Sequence, residues 1–233
     1  MKNLLLILAV CLLAAPGIAQ DGHEHQPGHG GGSHNDQYTN PDLDVDRMVQ
    51  RFENESREVF ALREKIVAAA GIAPGDIVAD VGAGTGAFLA PLVAAVGENG
   101  HVIDVEISIR FVEHLREVAN TGGWDNVTVV YSSFTSATLP PASVDRMIVV
   151  DTYHHFDDYQ AMLASMFRAL RPGGVMTVVD FDRHEGAREW IQGHVRASKD
   201  VFRTEIEAAG FTFLDEVAIP GMEENFVFRF RKP

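Results

Sequence analysis

Cysteine, basic charge and tryptophan are all scarce in this sequence of 233 residues. It has one cysteine, Cys11, and two tryptophans, and its 33 acidic side chains outnumber its 19 basic ones, for a formal net charge of −14. A single cysteine excludes a fold that depends on intrachain disulfides. The acidic balance argues against binding of nucleic acid through phosphates, which needs the opposite sign of charge. We therefore expect no nucleic-acid partner.

Long apolar runs are also missing. The longest extends from Leu4 to Ala15, between Lys2 and the small-residue segment Gly17-Ile18-Ala19, whereas a membrane-spanning helix needs about 20 apolar residues. A positive residue, a short apolar core and a small-x-small segment are typical of a secretory signal peptide. We predict a signal peptide over residues 1–19 and an exported protein, periplasmic or secreted, with no integral membrane span after cleavage. Association with a membrane surface stays open.

The next segment, residues 20–44, is rich in glycine and has no hydrophobic periodicity. This composition predicts a disordered linker. It contains His23, His25, His29 and His34, and imidazoles bind transition metals. Because nothing fixes the geometry of these side chains, the favoured interpretation is a solvated polar tail. The sequence predicts no metal site.

From residue 45 onwards the pattern is that of an α/β domain. Apolar residues follow helical spacing up to Gly71, and short apolar strands then alternate with helical segments. The alternation predicts a doubly wound, mostly parallel, seven-stranded sheet with a C-terminal antiparallel hairpin. The predicted strands cover 77–81, 101–106, 127–131, 146–150, 174–181, 211–219 and 225–231. The predicted helices after Gly71 cover 85–96, 109–119, 159–170 and about 190–206.

The most informative motif is the glycine loop Asp80-Val81-Gly82-Ala83-Gly84-Thr85-Gly86. A strand enters a glycine turn and continues into a helix, so the backbone can approach a ligand closely and free N–H groups face it. Glu106 ends the next strand, where a carboxylate can accept hydrogen bonds from ribose hydroxyls. The combination predicts a site for a nucleoside-containing ligand.

The loop by itself leaves two ligands open. The spacing Gly82-x-Gly84-x-x-Ala87 also satisfies the dinucleotide fingerprint, which makes an oxidoreductase one hypothesis. Asp80 disfavours it, because a carboxylate there would repel a pyrophosphate but suits a ligand that carries an ammonium group or a ribose. The terminal two-strand unit also replaces the second mononucleotide-binding half of a dinucleotide fold.

From about Ile77 to Asp180 the chain resembles class I S-adenosylmethionine-dependent methyltransferases of the ubiquinone/menaquinone type. The matching segments are the glycine loop, Glu106, residues 143–145, residues 149–156 and the turn Leu170-Arg171-Pro172-Gly173-Gly174. Residues 188–196 resemble a subgroup of exported methyltransferases. The resemblance implies a Rossmann-like fold over 45–233 with an N-terminal helical lid, and S-adenosylmethionine as cofactor. It does not specify a substrate, and the leading hypothesis is an exported methyltransferase that acts on a small molecule, a lipid or a peptide.

The resemblance also assigns the cofactor site. The family usually has an aspartate after the third strand to hold the adenine, whereas this chain has Ser132-Ser133-Phe134. In the other segments the family pattern is kept. The residues expected to bind the cofactor are Asp80, Gly82, Ala83, Gly84, Thr85, Gly86, Glu106, Ile107, Ser133, Phe134 and Asp151.

The expected catalytic residues follow the fourth and fifth strands: His155, His154 and Asp182. Methyl transfer is an in-line displacement that depends mainly on alignment, and a base helps when the acceptor is a hydroxyl or a protonated amine. His155 is the first candidate base, and His154 is expected to point the other way in an extended segment. His194 is expected to pack rather than react. A hypothesis from another class is an exported binding protein that uses the nucleotide pocket or the histidine-rich tail without catalysis.

Overall fold

A computed structural model of the protein describes residues 35–233. The predicted signal peptide and most of the predicted linker lie outside the described residues. Within the described part no helix is long and apolar enough to cross a membrane. The helices are α1 (Asp36–Thr39), α2 (Val45–Phe52), α3 (Glu58–Ala61), α4 (Arg63–Ala69), α5 (Leu89–Val96), α6 (Ile109–Gly122), α7 (Tyr159–Ala169), α8 (Glu189–His194) and α9 (Lys199–Ala208). The strands are β1 (Ile77–Val81), β2 (His101–Glu106), β3 (Val127–Tyr131), β4 (Val144–Val150), β5 (Leu170–Phe181), β6 (Thr212–Glu216) and β7 (Asn225–Arg231).

The strands form one mixed sheet in the order β3-β2-β1-β4-β5-β7-β6. The first five strands are parallel to one another, whereas β7 pairs antiparallel with both β5 and β6. The sequence-based prediction of a seven-stranded, Rossmann-like sheet with a terminal antiparallel hairpin is confirmed. The strand order reverses between β1 and β4, which is the point where doubly wound folds bind ligands.

Helices cover both faces of the sheet. Side chains alternate along each strand, and apolar side chains therefore project from both faces of the central strands and pack against helices on both sides. On one face Ala79 and Met147 belong to a core that also contains Leu163 of α7 and Phe202 of α9. On the other face the neighbouring strand residues pack in a second core with Ile66 of α4 and Leu89 of α5. Burial on both sides explains the continuous apolar runs of the central strands.

The N-terminal segment of the described chain forms a third, smaller cluster. Leu43 and Met48 are buried against Phe111 at the start of α6, and Tyr38 packs on the same cluster. Asp44 caps α2 by accepting a hydrogen bond from the backbone N–H of Arg47 at 3.0 Å. The end of the predicted linker is therefore ordered: residues 36–39 form a helical turn, and apolar contacts hold Leu43 in place.

Two helices differ most from their predicted bounds, while α6 extends three residues past its predicted end, to Gly122, and α7 ends one residue earlier than predicted, at Ala169. The helix after the glycine loop starts at Leu89 instead of Thr85, because the loop keeps Gly84 and Gly86 at positive φ. The helix predicted over 190–206 is two helices, α8 and α9. The carbonyl groups of Val195 and Arg196 accept hydrogen bonds from Arg183 Nη1 at 2.9 and 2.8 Å, which takes them out of a helical hydrogen-bond pattern.

Candidate active site

A cavity of about 400 Å³ opens at the carboxyl ends of the parallel strands. Residues from the ends of β1, β2, β4 and β5 line one side, and α2, α3 and α8 contribute the other. The position agrees with the rule that ligands of doubly wound sheets bind outside the carboxyl edge at the reversal point. The N-terminal helices thus lie over the site that the strand ends create.

The three glycines of the loop, Gly82, Gly84 and Gly86, meet different steric requirements. A Cβ on Gly82 would lie 2.2 Å from Thr152 Cγ2, so this glycine allows the β1 and β4 loops to touch. A Cβ on Gly86 would lie 3.0 Å from Leu115 Cδ2 and affect helix packing. At Gly84, with φ of +57°, the nearest atom to a Cβ is 3.9 Å away. Gly84 lines the cavity, so its missing side chain leaves space for a ligand.

Glu106 links the loop to the end of β2. Its Oε2 accepts a hydrogen bond from the Gly84 N–H at 2.8 Å, and its Oε1 accepts one from the Ser108 N–H at 2.8 Å. Burial raises the pKa of Glu106, and these backbone hydrogen bonds oppose the rise. Each carboxylate oxygen has a further lone pair, so hydrogen bonds from ribose hydroxyls remain compatible with this arrangement.

Two more carboxylates lie beside Glu106 on the same face of the sheet. Asp80 of β1 pairs in register with Asp104 of β2. Burial and then the neighbouring Glu106 raise the pKa of Asp80 to about 7, and burial and then Asp80 raise the pKa of Asp104 well above its usual range. Neither carboxylate oxygen of Asp104 has a hydrogen-bond partner among the described residues. A cation bound beside Asp80 and Glu106 would stabilise their ionised forms.

Asp151 follows β4 and joins the sheet to the N-terminal helical segment that contains α2 and α3 (residues 45–61). We call this segment the lid. Its Oδ2 lies 2.6 Å from Arg57 Nη2, and its Oδ1 accepts a hydrogen bond from Asn225 Nδ2 at 2.6 Å. Burial raises the pKa of Asp151 to about 6, and the Arg57 guanidinium opposes that rise. Asp151 also adopts a φ of +48°, which is strained for a residue with a side chain. Glu58 adds a second attachment by accepting hydrogen bonds from the N–H groups of Glu223 and Glu224.

His154 and His155 lie in one turn of 3-10 helix, Tyr153–His155, and not in an extended segment. Both rings consequently face the cavity, with their centroids 4.1 Å apart, so the expectation that they point in opposite directions is wrong. His154 Nδ1 lies 2.7 Å from Asp180 Oδ1, and Asp180 Oδ2 accepts a hydrogen bond from the His154 N–H at 3.0 Å. Burial lowers the pKa of His154, but Asp180 raises it more, and the net shift is upwards.

Most of the residues expected to bind the cofactor line the cavity. Three of the predicted site residues are not part of its lining. Gly86 faces Leu115, the Ser133 hydroxyl contacts Thr135, and Asp182 pairs with Lys199 at 2.9 Å. The lining residues among the predictions are Asp80, Gly82, Ala83, Gly84, Thr85, Glu106, Ile107, Phe134, Asp151, His154 and His155.

Sequence reasoning missed several residues of the cavity wall. Ser132 lines it in place of Ser133, and His194, which was expected only to pack, also faces it. Asp180 was not predicted as a site residue, although a carboxylate at the end of an apolar strand beside the His154-His155 segment is a usable signal. Apart from the predicted Phe134, the aromatic lining comes from distant parts of the chain: Tyr38, Phe52, Phe60, Phe88, Phe111, Phe156, Phe181 and Trp190.

The sheet order, the glycine loop and the carboxylate after β2 define a Rossmann-like methyltransferase fold. Comparison with known proteins agrees with that class. Residues 78–174 match a family model described as a methyltransferase domain. The matched segment runs from β1 to the turn within β5 and includes Glu106, Asp151 and both histidines of the 3-10 turn.

The curated relatives that the chain matches include quinone-biosynthesis enzymes. The chain is 32% identical over 114 residues to the ubiquinone/menaquinone biosynthesis C-methyltransferase of Vibrio cholerae, which covers 48% of this chain and 44% of that protein. It is 30% identical over 124 residues to the enzyme of the same name from Pseudoalteromonas translucida, covering 53% and 49%. The chain thus spans about half the length of the curated relatives it matches.

Solved structures share the fold over a larger part of the chain. An S-adenosylmethionine-dependent methyltransferase from Aquifex aeolicus superimposes with a TM-score of 0.73 at 24% identity, covering 82% of this chain and 99% of that one. Mitomycin 7-O-methyltransferase superimposes with a TM-score of 0.68 at 18% identity, covering 84% and 60%. Both comparisons support the fold described above.

Proposed function

We propose that the protein is a methyltransferase that uses S-adenosylmethionine as donor and a small apolar or aromatic molecule as acceptor. The observation that carries the proposal is the combination of an open Gly84 and the buried carboxylates Asp80 and Glu106 in one cavity. The donor has an ammonium group, a sulfonium and a ribose. Acidic groups and a loop backbone that lines the cavity suit all three features.

Different residues of the cavity would contact different parts of the donor. Glu106 has lone pairs for the ribose hydroxyls, Asp80 provides negative charge for the ammonium group, and Gly84 leaves room for close approach. When bound, S-adenosylmethionine supplies an electrophilic methyl group. The protein contributes alignment and exclusion of water, and the ion pair of Arg57 with Asp151 holds the lid over the site.

The size and lining of the cavity restrict the acceptor. About 400 Å³ must hold the reacting parts of donor and acceptor together, so a peptide or a long lipid chain would extend beyond it. Phe52, Phe181 and Trp190 offer apolar ring surfaces, which favour a flat apolar molecule. The matched relatives are named for ubiquinone and menaquinone biosynthesis, and a hydroxylated aromatic ring is the acceptor class that fits both observations.

A dinucleotide oxidoreductase is the competing function that the glycine spacing permits. Asp80 and Glu106 are buried at the base of the cavity, and Asp104 lies beside them. A pyrophosphate placed against Glu106 and the ionised form of Asp80 would be repelled. We therefore expect S-adenosylhomocysteine to bind and NAD not to compete with it.

Calorimetry with the purified protein tests the donor site. Glu106→Gln should weaken binding of S-adenosylhomocysteine by about 1.5–3 kcal/mol, the range for hydrogen bonds to a charged group. Glu117→Gln, on the exposed side of α6, is the matched control and should bind like the parent. Equal affinity of all three proteins, or tighter binding of NAD, would exclude the proposed donor site.

Transfer is tested separately with isotope-labelled donor and a panel of hydroxylated aromatic and quinol acceptors. We expect label in the acceptor and one equivalent of S-adenosylhomocysteine for each methyl group transferred. Tight donor binding without transfer to any small acceptor, or to peptides and lipids, would favour the non-catalytic binding protein instead.

A further inference from the structure

Three histidines meet at the end of the cavity formed by the β4 and β5 loops. His154 and His155 come from the 3-10 turn and His194 is the last residue of α8. Each offers one ring nitrogen, and these three nitrogens all lie within 4.8 Å of one another. The ring centroids of His194 lie 5.0 and 5.2 Å from those of His154 and His155. All three residues line the cavity.

The buried His154 is oriented by Asp180. The Nδ1 atom lies 2.7 Å from Asp180 Oδ1, so Nε2 is the nitrogen left for the cavity side. The His154 side chain is 1% exposed and that of Asp180 0%, and His154 Nε2 has no hydrogen-bond partner within residues 35–233. A carboxylate behind one ring nitrogen, with the other nitrogen directed into a site, is the arrangement that orients histidine ligands of metals.

We propose that His154, His155 and His194 form a binding site for one divalent transition metal ion of the zinc class, with Asp180 as the residue that orients His154. Three neutral imidazoles favour zinc, iron, nickel or copper over the oxygen-preferring magnesium and calcium. Because all three ligands lie on the cavity wall, the open coordination positions face the space in which we place the acceptor. There the oxygen of a hydroxylated ring is a suitable further ligand.

The site needs only small movements to close on an ion. Metal–nitrogen distances of about 2.1 Å in a tetrahedral site place the nitrogens about 3.4 Å apart. The three nitrogens now lie within 4.8 Å of one another. Side-chain rotations that move each nitrogen by about 1 Å are therefore sufficient. The backbone on either side is held: Asn35 Nδ2 donates to the His155 carbonyl at 2.9 Å, and the His154 N–H donates to Asp180.

The experiment measures metal binding directly and needs neither donor nor acceptor, so its outcome is independent of the proposed methyl transfer. The full chain is used, with His23, His25, His29 and His34 replaced by Gln, because the tail histidines are potential ligands themselves. After removal of metal with a chelator, the protein is titrated with Co²⁺ and with Zn²⁺. We expect one ion per chain and the visible absorption bands of Co²⁺ bound by nitrogen ligands.

Three variants in the same background identify the ligands. His194→Ala should abolish the Co²⁺ bands, and Asp180→Asn should weaken metal affinity by about 10–100-fold, the usual effect of losing an orienting partner. His184→Ala is the matched control, since His184 is exposed on the neighbouring loop and should leave binding unchanged. Circular dichroism checks that each variant is folded.

Two results would overturn the proposal. One is a tail-substituted protein that takes up no stoichiometric Co²⁺ or Zn²⁺, which decides the question even if a point variant fails to fold. The other is a folded His194→Ala protein that binds the ion as tightly as His184→Ala does. In either case the three rings would be a packing cluster around Trp190 and Phe181.

Discussion

At the residue scale, Gly84 has a positive φ and also leaves space for a ligand, and a substitution can distinguish these two reasons for a glycine. Gly84→Ala should lower affinity for S-adenosylhomocysteine at least tenfold, because the added methyl group lies in the cavity in space otherwise open to the ligand. Gly123→Ala is the control: φ is +67°, and nothing lies within 4 Å of its Cβ position. Both variants should lose about 1 kcal/mol of stability. Equal donor affinity of the two in calorimetry would contradict this role of Gly84.

Asp80 predicts how donor binding depends on pH. Its pKa in the free protein is raised to about 7, and an ammonium ligand prefers the ionised carboxylate. Affinity should therefore rise with pH, by about tenfold between pH 6 and pH 8, as the ionised fraction grows. Calorimetry in buffers across this range measures the effect. Asp80→Asn should bind more weakly and lose the pH dependence, and a parent protein with no such dependence would refute the assignment.

The raised pKa of Asp104 predicts how the free energy of unfolding depends on pH. Burial raises its pKa well above the ordinary value of 3.8, so the folded state holds its proton more tightly than the unfolded state does. The free energy of unfolding should then fall as pH rises from about 4 through the raised pKa. Asp104→Asn should be more stable than the parent at pH 8 and closer to it at pH 4. Urea denaturation measures this, with the exposed Asp125→Asn as control.

Sequence reasoning predicted site residues best where local pattern and strand ends define them. Glu106 and Gly84 belong to one strand–loop–helix unit, and both line the cavity. Ser133 and Asp182 each lie one residue beyond a residue that lines the cavity, Ser132 and Phe181, because side-chain alternation past a strand depends on the turn that follows. The place of His194 on the cavity wall depends on where α8 packs, and no local sequence pattern predicts that.

At the scale of elements, the ion pair of Arg57 with Asp151 is one of two attachments of the lid, the other being the hydrogen bonds to Glu58. Arg57→Gln should speed release of the donor by roughly fivefold, equivalent to about 1 kcal/mol, because Asp151 then holds the lid less tightly. Arg47→Gln, exposed on α2, is the control and should leave the release rate unchanged. Stopped-flow fluorescence measures the rate. If both variants release the donor equally fast, the attachment lies elsewhere, for example at Glu58.

The elements themselves were predicted well where periodicity is strong and less well at their ends. The strands His101–Glu106, Val127–Tyr131 and Asn225–Arg231 match their predicted bounds, because each is a short run rich in β-branched or aromatic residues. The break between α8 and α9 was not predicted. It depends on Arg183, which is distant in sequence and supplies hydrogen bonds to the carbonyls at the break.

At the scale of the whole molecule, the sequence predicts export. We propose cleavage of residues 1–19, on the pattern of Lys2, the apolar run and Gly17-Ile18-Ala19. N-terminal sequencing of the natively produced protein should begin at Gln20 or at the pyroglutamate formed from it. A soluble cytoplasmic protein that retains Met1 would contradict the proposal. An exported enzyme would also need a supply of its donor outside the cytoplasm, which assays of secreted fractions can measure.

The two ends of the described chain emerge at opposite edges of the sheet. The Asn35 side chain bonds to the His155 carbonyl, beside the cavity, whereas Lys232 bonds to the backbone of Gly173 and Gly174 at the other edge. A fluorophore attached at position 35 itself would therefore lie against the cavity wall. Attachment after Lys232 would leave the mouth facing the solution, which makes that end the better handle for immobilised assays.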